Sequence, residues 1–372
     1  MSLRKNSLIK KISSPAVFFY ACVWLIVLLV IGTVIQKDIG LYRAQETYFS
    51  AWFLSYKFIF LPAGRTTLLI VFVNLVCQFL FMSVWSKRKI GLHITHFGAI
   101  LLLCGGFLTA YFSSEGSMMI KEGDKSSTFR DYHKLQLSLV DESQPNRDLV
   151  TAINDVLLFK GSLIDKLSFE GSIKIKEFYR NCDPIRKKGV GGDDLKGLSK
   201  NFSLIPLPLD KEDERNRAGM VLELSGMHEE VNGIYTLLEE MEPHQHFSVN
   251  GKQWRMELEH KRYKLPFEVE LTDFEKKVYP GTTMAKSYKS DVIVHDGGAS
   301  RKGIVEMNAP MRLHGYTFFQ SSFTQGPDGE ATVFSVVKNF GRMYPYIASI
   351  IICIGLMIHC FLLLPSLISK EQ

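Results

Sequence analysis

Four stretches of the chain are apolar at almost every position: Pro15–Ile35, Thr66–Trp85, His93–Phe112 and Tyr344–Leu364. A helix packed on a soluble core keeps a polar face, and these stretches lack one. Each holds about 20 residues, which as a helix matches a hydrocarbon layer of about 30 Å. The pattern therefore predicts four transmembrane helices, at 15–35, 66–85, 93–112 and 344–364. The first follows a basic lead but has no A-x-A cleavage site, so it reads as a retained helix rather than a signal peptide.

Between the third and fourth runs the period changes. Lys134–Val140, Gly171–Phe178, Ala218–Leu224, Trp254–Leu258, Phe267–Leu271 and Ser290–His295 alternate apolar and polar residues, the period of half-buried strands. Asn250-Gly251, Pro280-Gly281, Asp296-Gly297-Gly298 and Pro327-Asp328-Gly329 supply turns. We expect a large, mostly antiparallel β domain over 113–343, with a short helix at 149–158 and a loop-like, weak boundary at 181–217. The fold class is thus membrane α-helical plus a β-rich extracytoplasmic domain.

Charge sets the orientation. The mean hydropathy of +0.05 and the net charge of +6 average over unlike parts. Residues 1–14 carry Arg4, Lys5, Lys10 and Lys11 without an acid, and the link after the second run carries Lys87, Arg88 and Lys89. By the positive-inside tendency both face the cytoplasm. The loop 36–65 and the domain 113–343 then lie outside, and the tail 365–372 returns inside. The domain is left at −3, so the overall excess is no nucleic-acid signal. Loop 36–65 is aromatic (Tyr42, Tyr48, Phe49, Trp52, Phe53, Tyr56, Phe58, Phe60), as suits an interfacial anchor or a platform for a flat ligand or partner helix.

Much familiar chemistry is missing. Five of the six cysteines lie in apolar runs, and Cys182 alone is in the domain, flanked by Asn181 and Asp183, which offer no thiolate activation. No C-x-x-C, C-x-x-C-H, Walker loop, G-x-S-x-G, G-x-G-x-x-G or H-E-x-x-H occurs. What stands out is histidine inside the spans: His93 and His96 at the start of the third, His359 near the inner end of the fourth. Ionisable groups there are costly and mark function by default. A neutral imidazole is a good axial ligand for haem iron, and Gly98, Gly105, Gly106 and Gly355 would admit a flat ring or a neighbouring helix. The bland alternative is an interhelical hydrogen bond. His96 and His359 come out at similar depths, about 5 and 7 Å below the inner boundary at 1.5 Å per residue. Asn74 and Gln78 read as interhelical glue, and His244-Gln245-His246 as a solvated loop.

Further motifs carry a family resemblance. Gly32-Thr33-Val34-Ile35-Gln36-Lys37-Asp38-Ile39-Gly40-Leu41-Tyr42, with Ala44-Gln45 and Tyr48-Phe49, resembles the first-loop signature of ResB/CcsB proteins. So do Pro62-Ala63-Gly64-Arg65-Thr66, Asn74-Leu75, and the run from His96 through Gly106 to Glu115-Gly116 and Glu122-Gly123. Tyr279-Pro280-Gly281-Thr282, Ser290-Asp291-Val292 and Met307-Asn308-Ala309-Pro310 through Gly315-Tyr316-Thr317-Phe318-Phe319-Gln320-Ser321-Ser322 resemble the family's closing block. Residues 145–250 carry none of these motifs.

The resemblance implies a bacterial inner (cytoplasmic) membrane protein of system II cytochrome c biogenesis, with both termini cytoplasmic and the large domain periplasmic. It implies a CcsA-type haem-handling partner and an apocytochrome c C-x-x-C-H as acceptor, with a thioredoxin-like thiol reductant as a further candidate partner. His96 aligns with the family's haem ligand on the third helix, and haem b would be a transient substrate. His359 lies outside the family pattern and is carried as a second or transit ligand, and His93 as a lesser candidate. No independent catalytic cluster is visible, so the chain is expected to be a non-autonomous subunit of a holocytochrome c synthase. The alternative is a membrane-tethered scaffold that binds apocytochrome and never ligates haem.

Overall fold

The computed structural model describes residues 6–56, 58–144, 148–187, 192, 194–282, 284–326 and 329–368. Arg4, Lys5, Lys188, the Pro327-Asp328 turn and the tail residues Lys370 and Glu371 lie outside the described residues. The chain divides into a helical unit (Met1–Ser114, His314–Tyr316, Val337–Gln372) and a β unit (Glu115–Leu313, Thr317–Val336).

In the helical unit, Asn6 caps α1 (Ser7–Ile12) and Ser14 caps α2 (Pro15–Ile39), each accepting a backbone N–H within the first turn. Pro15 opens α2, where its missing N–H costs nothing. α2 runs past the apolar stretch through Gln36-Lys37-Asp38 and stops at Gly40, whose φ of 85° a side chain would resist. The loop then folds locally as α3 (Leu41–Ala44), a π-helical turn (Gln45–Phe49) and a hairpin of β1 (Phe53–Tyr56) and β2 (Ile59–Pro62). α4 (Gly64–Cys77) ends in a π-helical turn, α5 (Ile90–Phe112) begins three residues before the expected start, and α6 is Tyr344–Ile368. Among the described residues four helices are long and apolar enough to cross a membrane.

Small residues let this unit pack closely. The Phe49 ring sits where a Cβ on Gly32 would be 2.8 Å away, and the Phe49 backbone where one on Gly64 would be 2.5 Å away. Trp24 Nε1 donates to the Pro62 carbonyl at 2.7 Å, so the aromatic loop folds back on α2 and α4. Its tip stays open, with Phe58 97% and Phe60 72% exposed. Asn74 donates to the carbonyls of Ile12 (2.5 Å) and Ser14 (3.0 Å), tying α4 to the α1–α2 turn.

The β unit opens with β3 (Ser114–Lys121), β4 (Lys125–Asp141) and β5 (Leu149–Asn154). β6 (Leu163–Ile164), β7 (Ser172–Tyr179), β8 (Cys182–Arg186) and β9 (Phe202–Pro206) follow. Then come β10 (Gly219–Ser225), β11 (Gly233–Leu238), β12 (Gln245–Val249) and β13 (Lys252–Val278). β14 (Ala285–Asp296), β15 (Ala299–Glu306), β16 (Met311–Leu313), β17 (Tyr316–Gly326) and β18 (Gly329–Lys338) close it. The main sheet runs β15-β14-β13-β4-β3-β18-β17-β16, with β5 on β4 and β12 on β13. β15 and β16 are joined by a tight turn and meet at Gly303, where Met311 Sδ takes the place a Cβ would need, so the sheet curls back on itself.

β4 and β13 are long because each serves two cores. Their β13 N-terminal and β4 C-terminal parts, with β5 and β12, face the sheet β11-β10-β7-β6 across Leu137, Leu139, Ile173, Ile175, Met220, Leu222 and Trp254. The other parts line a second core containing Phe129, Phe267, Phe318 and Phe334. The ladder slips between these parts, at His260/Arg262 and again at Lys264/Val269. Two strand stretches read separately, Trp254–Leu258 and Phe267–Leu271, are therefore one bent strand.

The family motifs in this unit fall at turns and close crossings. A Cβ on Gly116 would meet the Arg130 carbonyl at 1.9 Å. Glu122 accepts from Phe274 N–H (2.8 Å) and Gly123, at φ 82°, donates to the Leu271 carbonyl (2.8 Å), pinning the β3–β4 turn to β13. Ser290, Gln320 and Thr332 form a buried hydrogen-bonded cluster linking β14, β17 and β18.

Two local expectations fail. Residues 149–158 are not a helix: 149–154 pair with 136–141 as β5 and only Asp155–Leu157 makes a 3-10 turn, because the apolar ladder with β4 outweighs a weak helical spacing. Residues 181–217 are not simply loop, since β8 and β9 form a hairpin that buries Cys182 against Leu204 and Leu238.

Candidate functional site

α5 carries two of the three candidate histidines. It begins at Ile90 after a 3-10 turn of Lys87–Lys89, and the three residues from His93 to His96 turn their imidazoles in different directions. His93 is buried. Its ring stacks on Trp85 (4.5 Å, 23°) and meets Phe79 edge-on (6.5 Å). Nε2 lies 3.3 Å from the Val84 carbonyl, which only accepts, so the proton sits there. Nδ1 is buried without a hydrogen-bond partner among the described residues. Such a ring pins the turn between α4 and α5.

His96 differs. Its Nδ1 lies 2.8 Å from the Leu92 carbonyl one turn earlier, and a carbonyl can only accept, so Nδ1 carries the proton. In a neutral ring Nε2 would then keep its lone pair; His96 is half-buried on the helix surface, and no hydrogen-bond partner among the described residues occupies Nε2. A backbone carbonyl fixing one ring nitrogen is the arrangement that orients a metal-ligating imidazole. Ala99, Ile100 and Leu103, on neighbouring turns, pack against Ala21, Val71 and Leu75 of α2 and α4.

His359 is on α6, whose backbone lies against α5. A Cβ on Gly91 would sit 2.4 Å from His359 N, one on Gly355 2.6 Å from Thr95 N, and one on Gly105 2.2 Å from Tyr344 Cβ. These contacts define the α5 face toward α6. At 100° per residue His96 points about 140° away from Gly91. His359 is also level with Gly91, more than one turn before His96. The structure therefore does not bring His96 and His359 together, and it joins neither to His93.

In the β unit a cavity of about 510 Å³ lies over β13. Its floor is charged. Glu259 is buried and accepts from Ser138 Oγ (2.6 Å) and Arg262 Nε (2.6 Å), while the Arg255 guanidinium lies 2.9 Å from both Glu142 and Glu257. His244 and His246, read as part of a solvated loop, sit just before and within β12; His246 is exposed, and Glu257 and Glu142 lie 3.5 Å and 3.6 Å from the two rings. Those carboxylates are 13 and 104 positions away from their partners in sequence, so no local signal could reveal them. Among the described residues no group of three His, Cys, Asp or Glu could hold a metal ion. Burial pushes the Cys182 thiol up to about 11, which leaves it protonated and unreactive.

One ion pair here makes the β unit pH-sensitive. Glu239, 2.7 Å from His260, raises the His260 pKa above its ordinary value, more than burial lowers it. A raised folded-state pKa stabilises fully below the unfolded value and fades as pH rises through the folded one. Thermal unfolding should therefore show a Tm difference between pH 6 and pH 8 that narrows in His260→Gln. An unchanged difference would show that the pair contributes nothing to it.

The fold and site together define a four-helix membrane protein with a large antiparallel β domain and one available, tautomer-fixed imidazole on its third long helix. The resemblance read from the closing motifs, which lie between Tyr279 and Ser322, has a counterpart in a family model. Residues 224–333, from the end of β10 into β18, match the family model described as the ResB-like family. The chain is also similar to protein NrfI of Wolinella succinogenes, 25% identical over 272 residues, which is 70% of this chain and 26% of NrfI. The chain thus spans about a quarter of the length of that curated relative. The family match begins inside the stretch that carried no recognisable motif and reaches none of the described transmembrane helices.

Proposed function

We propose that the chain acts in cytochrome c biogenesis as the ResB/CcsB half of a system II synthase, with a CcsA-type protein as the other half. Haem b is the substrate. The observation that carries the reading is His96: a proton fixed on Nδ1 and a free Nε2 facing out of an apolar helix surface, ready to ligate iron once a partner covers it. The basic Lys87–Lys89 turn beside it supports a cytoplasmic location for this end of α5, so His96 would meet haem in the inner leaflet. The β domain then lies in the periplasm.

Attachment adds each thiol S–H of the acceptor C-x-x-C-H across a haem vinyl C=C, and no electrons are exchanged. Such a step needs reduced, oriented thiols more than a protein base. The buried, protonated Cys182 is in keeping with a chain that supplies no thiol of its own. The contribution of this chain is to hold haem at His96 and to present apocytochrome on the β domain.

Copurification with a co-expressed CcsA-type protein tests the assignment. The expected result is a defined complex that carries haem, with little haem on this chain alone. A complex that binds apocytochrome but contains no haem contact from this chain would favour the scaffold reading instead.

A further inference from the structure

We infer that the loop between α2 and α4 is re-entrant: the base of the β1–β2 hairpin sits inside the half of the bilayer around the Ile39 end of α2, where its exposed rings meet lipid acyl chains. An interfacial anchor would hold these rings at headgroup depth, and the structure sets them lower. This placement draws on the membrane helices alone and is independent of haem.

Two rulers along α2 give the depth. α2 leaves large apolar side chains exposed as far as Val34, itself 68% exposed, so hydrocarbon reaches at least that level. Trp24 lies ten residues earlier, about 15 Å at 1.5 Å per residue. Its Nε1 donates to the Pro62 carbonyl at 2.7 Å. An indole N–H stands about 5 Å from its own Cα at ordinary bond lengths. Even a ring aimed straight toward Val34 therefore leaves Pro62 about 7 Å below it. Helix side chains lean toward the N-terminus, which takes Pro62 deeper. The second ruler is Asn74, which donates to the carbonyls of Ile12 and Ser14. Ten residues separate Ser14 from Trp24, and ten separate Asn74 from Gly64, so the antiparallel α4 begins at about the level of Trp24. Phe49 marks the descent, with its ring against Gly32 and its backbone against Gly64.

Local chemistry suits this depth. In hydrocarbon, backbone polar groups need partners within the protein. β1 and β2 pair with each other from Phe53–Pro62 to Tyr56–Ile59. At the hairpin base the Ala51 carbonyl accepts from Arg65 N–H, and the Trp52 carbonyl from Ala63 N–H and Thr66 Oγ. Pro62 has no N–H to leave unpaired, and its carbonyl is taken by Trp24. The Arg65 guanidinium lies over the Tyr111 ring in the last turn of α5, 5.5 Å from its centroid, a route by which a cation rooted at this depth reaches the headgroups. Trp52, Phe53 and Phe60 stay exposed. The depth decides what surrounds them, because Ile26, Leu29 and Val30 are exposed at the same level of α2 and face lipid.

The test uses the full-length protein in phosphatidylcholine nanodiscs. Trp52→Phe isolates the fluorescence of Trp52 by difference. Phosphatidylcholine brominated near the middle of its chains should quench at least half of that contribution, and aqueous iodide less than a tenth. Phe60→Asp is the second variant. Phe60 is 72% exposed, so in water the change would leave stability alone, whereas in hydrocarbon a carboxylate is costly. The thermal midpoint of Phe60→Asp should therefore fall several degrees below that of Phe60→Leu. Stronger quenching by iodide than by the brominated lipid would overturn the inference. Quenching by neither would overturn it too, since protein would then cover the ring. Equal midpoints for the two Phe60 variants would do the same.

Discussion

Replacing His96 with alanine, with the CcsA-type partner co-expressed, should lower both the haem bound to the complex and the yield of mature cytochrome c by at least tenfold, or about 1.4 kcal/mol. The size of the effect follows from what the imidazole provides. Nδ1 is committed to the Leu92 carbonyl at 2.8 Å, so ring orientation is already set and Nε2 needs no rearrangement to bind iron. Alanine keeps the helix, since it is the best helix former, and removes only the ligand. The loss should therefore come without a loss of expression. Normal bound-haem absorbance together with normal cytochrome yield would remove His96 from the site.

Phe334→Ala should cost the β unit about 3–5 kcal/mol. Phe334 is fully buried on β18 and meets Phe318 edge to face at 6.3 Å, and Phe318 in turn meets Phe267 at 6.0 Å. Alanine would leave a cavity in a core that spans three strands and would also forfeit the aromatic pair, itself worth about 0.5–1.5 kcal/mol. For a unit of this size the melting temperature should fall by on the order of 10 °C. Thermal unfolding of the full-length protein, followed by near-ultraviolet circular dichroism, would show it. A drop no greater than that of Phe334→Leu would mean the neighbours collapse into the space.

The parts of the fold that were legible are those set by local pattern. Four apolar runs became four helices, because in lipid a backbone must satisfy itself and a helix does so locally. Alternation placed β7 and β10 within a residue and the end of β14 within one, though β14 starts five residues before the alternating stretch, and Asn250-Gly251 and Gly297-Gly298 took the positive φ their turns require. The errors have tertiary causes. α2 extends through Gln36-Lys37-Asp38 because a helix ends at its capping residue, here Gly40, and not where the apolar residues stop. Residues 149–154 became a strand because 136–141 offers them an apolar ladder. β13 was split in two because Lys261, Arg262, Lys264 and Pro266 interrupt its alternation at the bulge where it passes between cores.

The candidate site divides in the same way. His96 was visible as an ionisable residue in an apolar run, but its distinction from His93 was not. That depends on Trp85 stacking on one ring and the Leu92 carbonyl fixing the other. The expected depth match of His96 and His359 fails, because α6 seats His359 level with Gly91, and both the height and the direction of each ring depend on how Gly91, Gly98 and Gly355 set α5 against α6. The charged floor over β13 was hidden because its members come from β4, β13 and the segments flanking them.

The most direct test is the absorbance spectrum of haem in the purified complex with His96→Gly, recorded with and without added imidazole. Ligation by His96 predicts that the glycine variant loses the haem absorbance spectrum of the unaltered complex and that imidazole restores it. A spectrum identical to that of the unaltered complex, in the absence of imidazole, would contradict it.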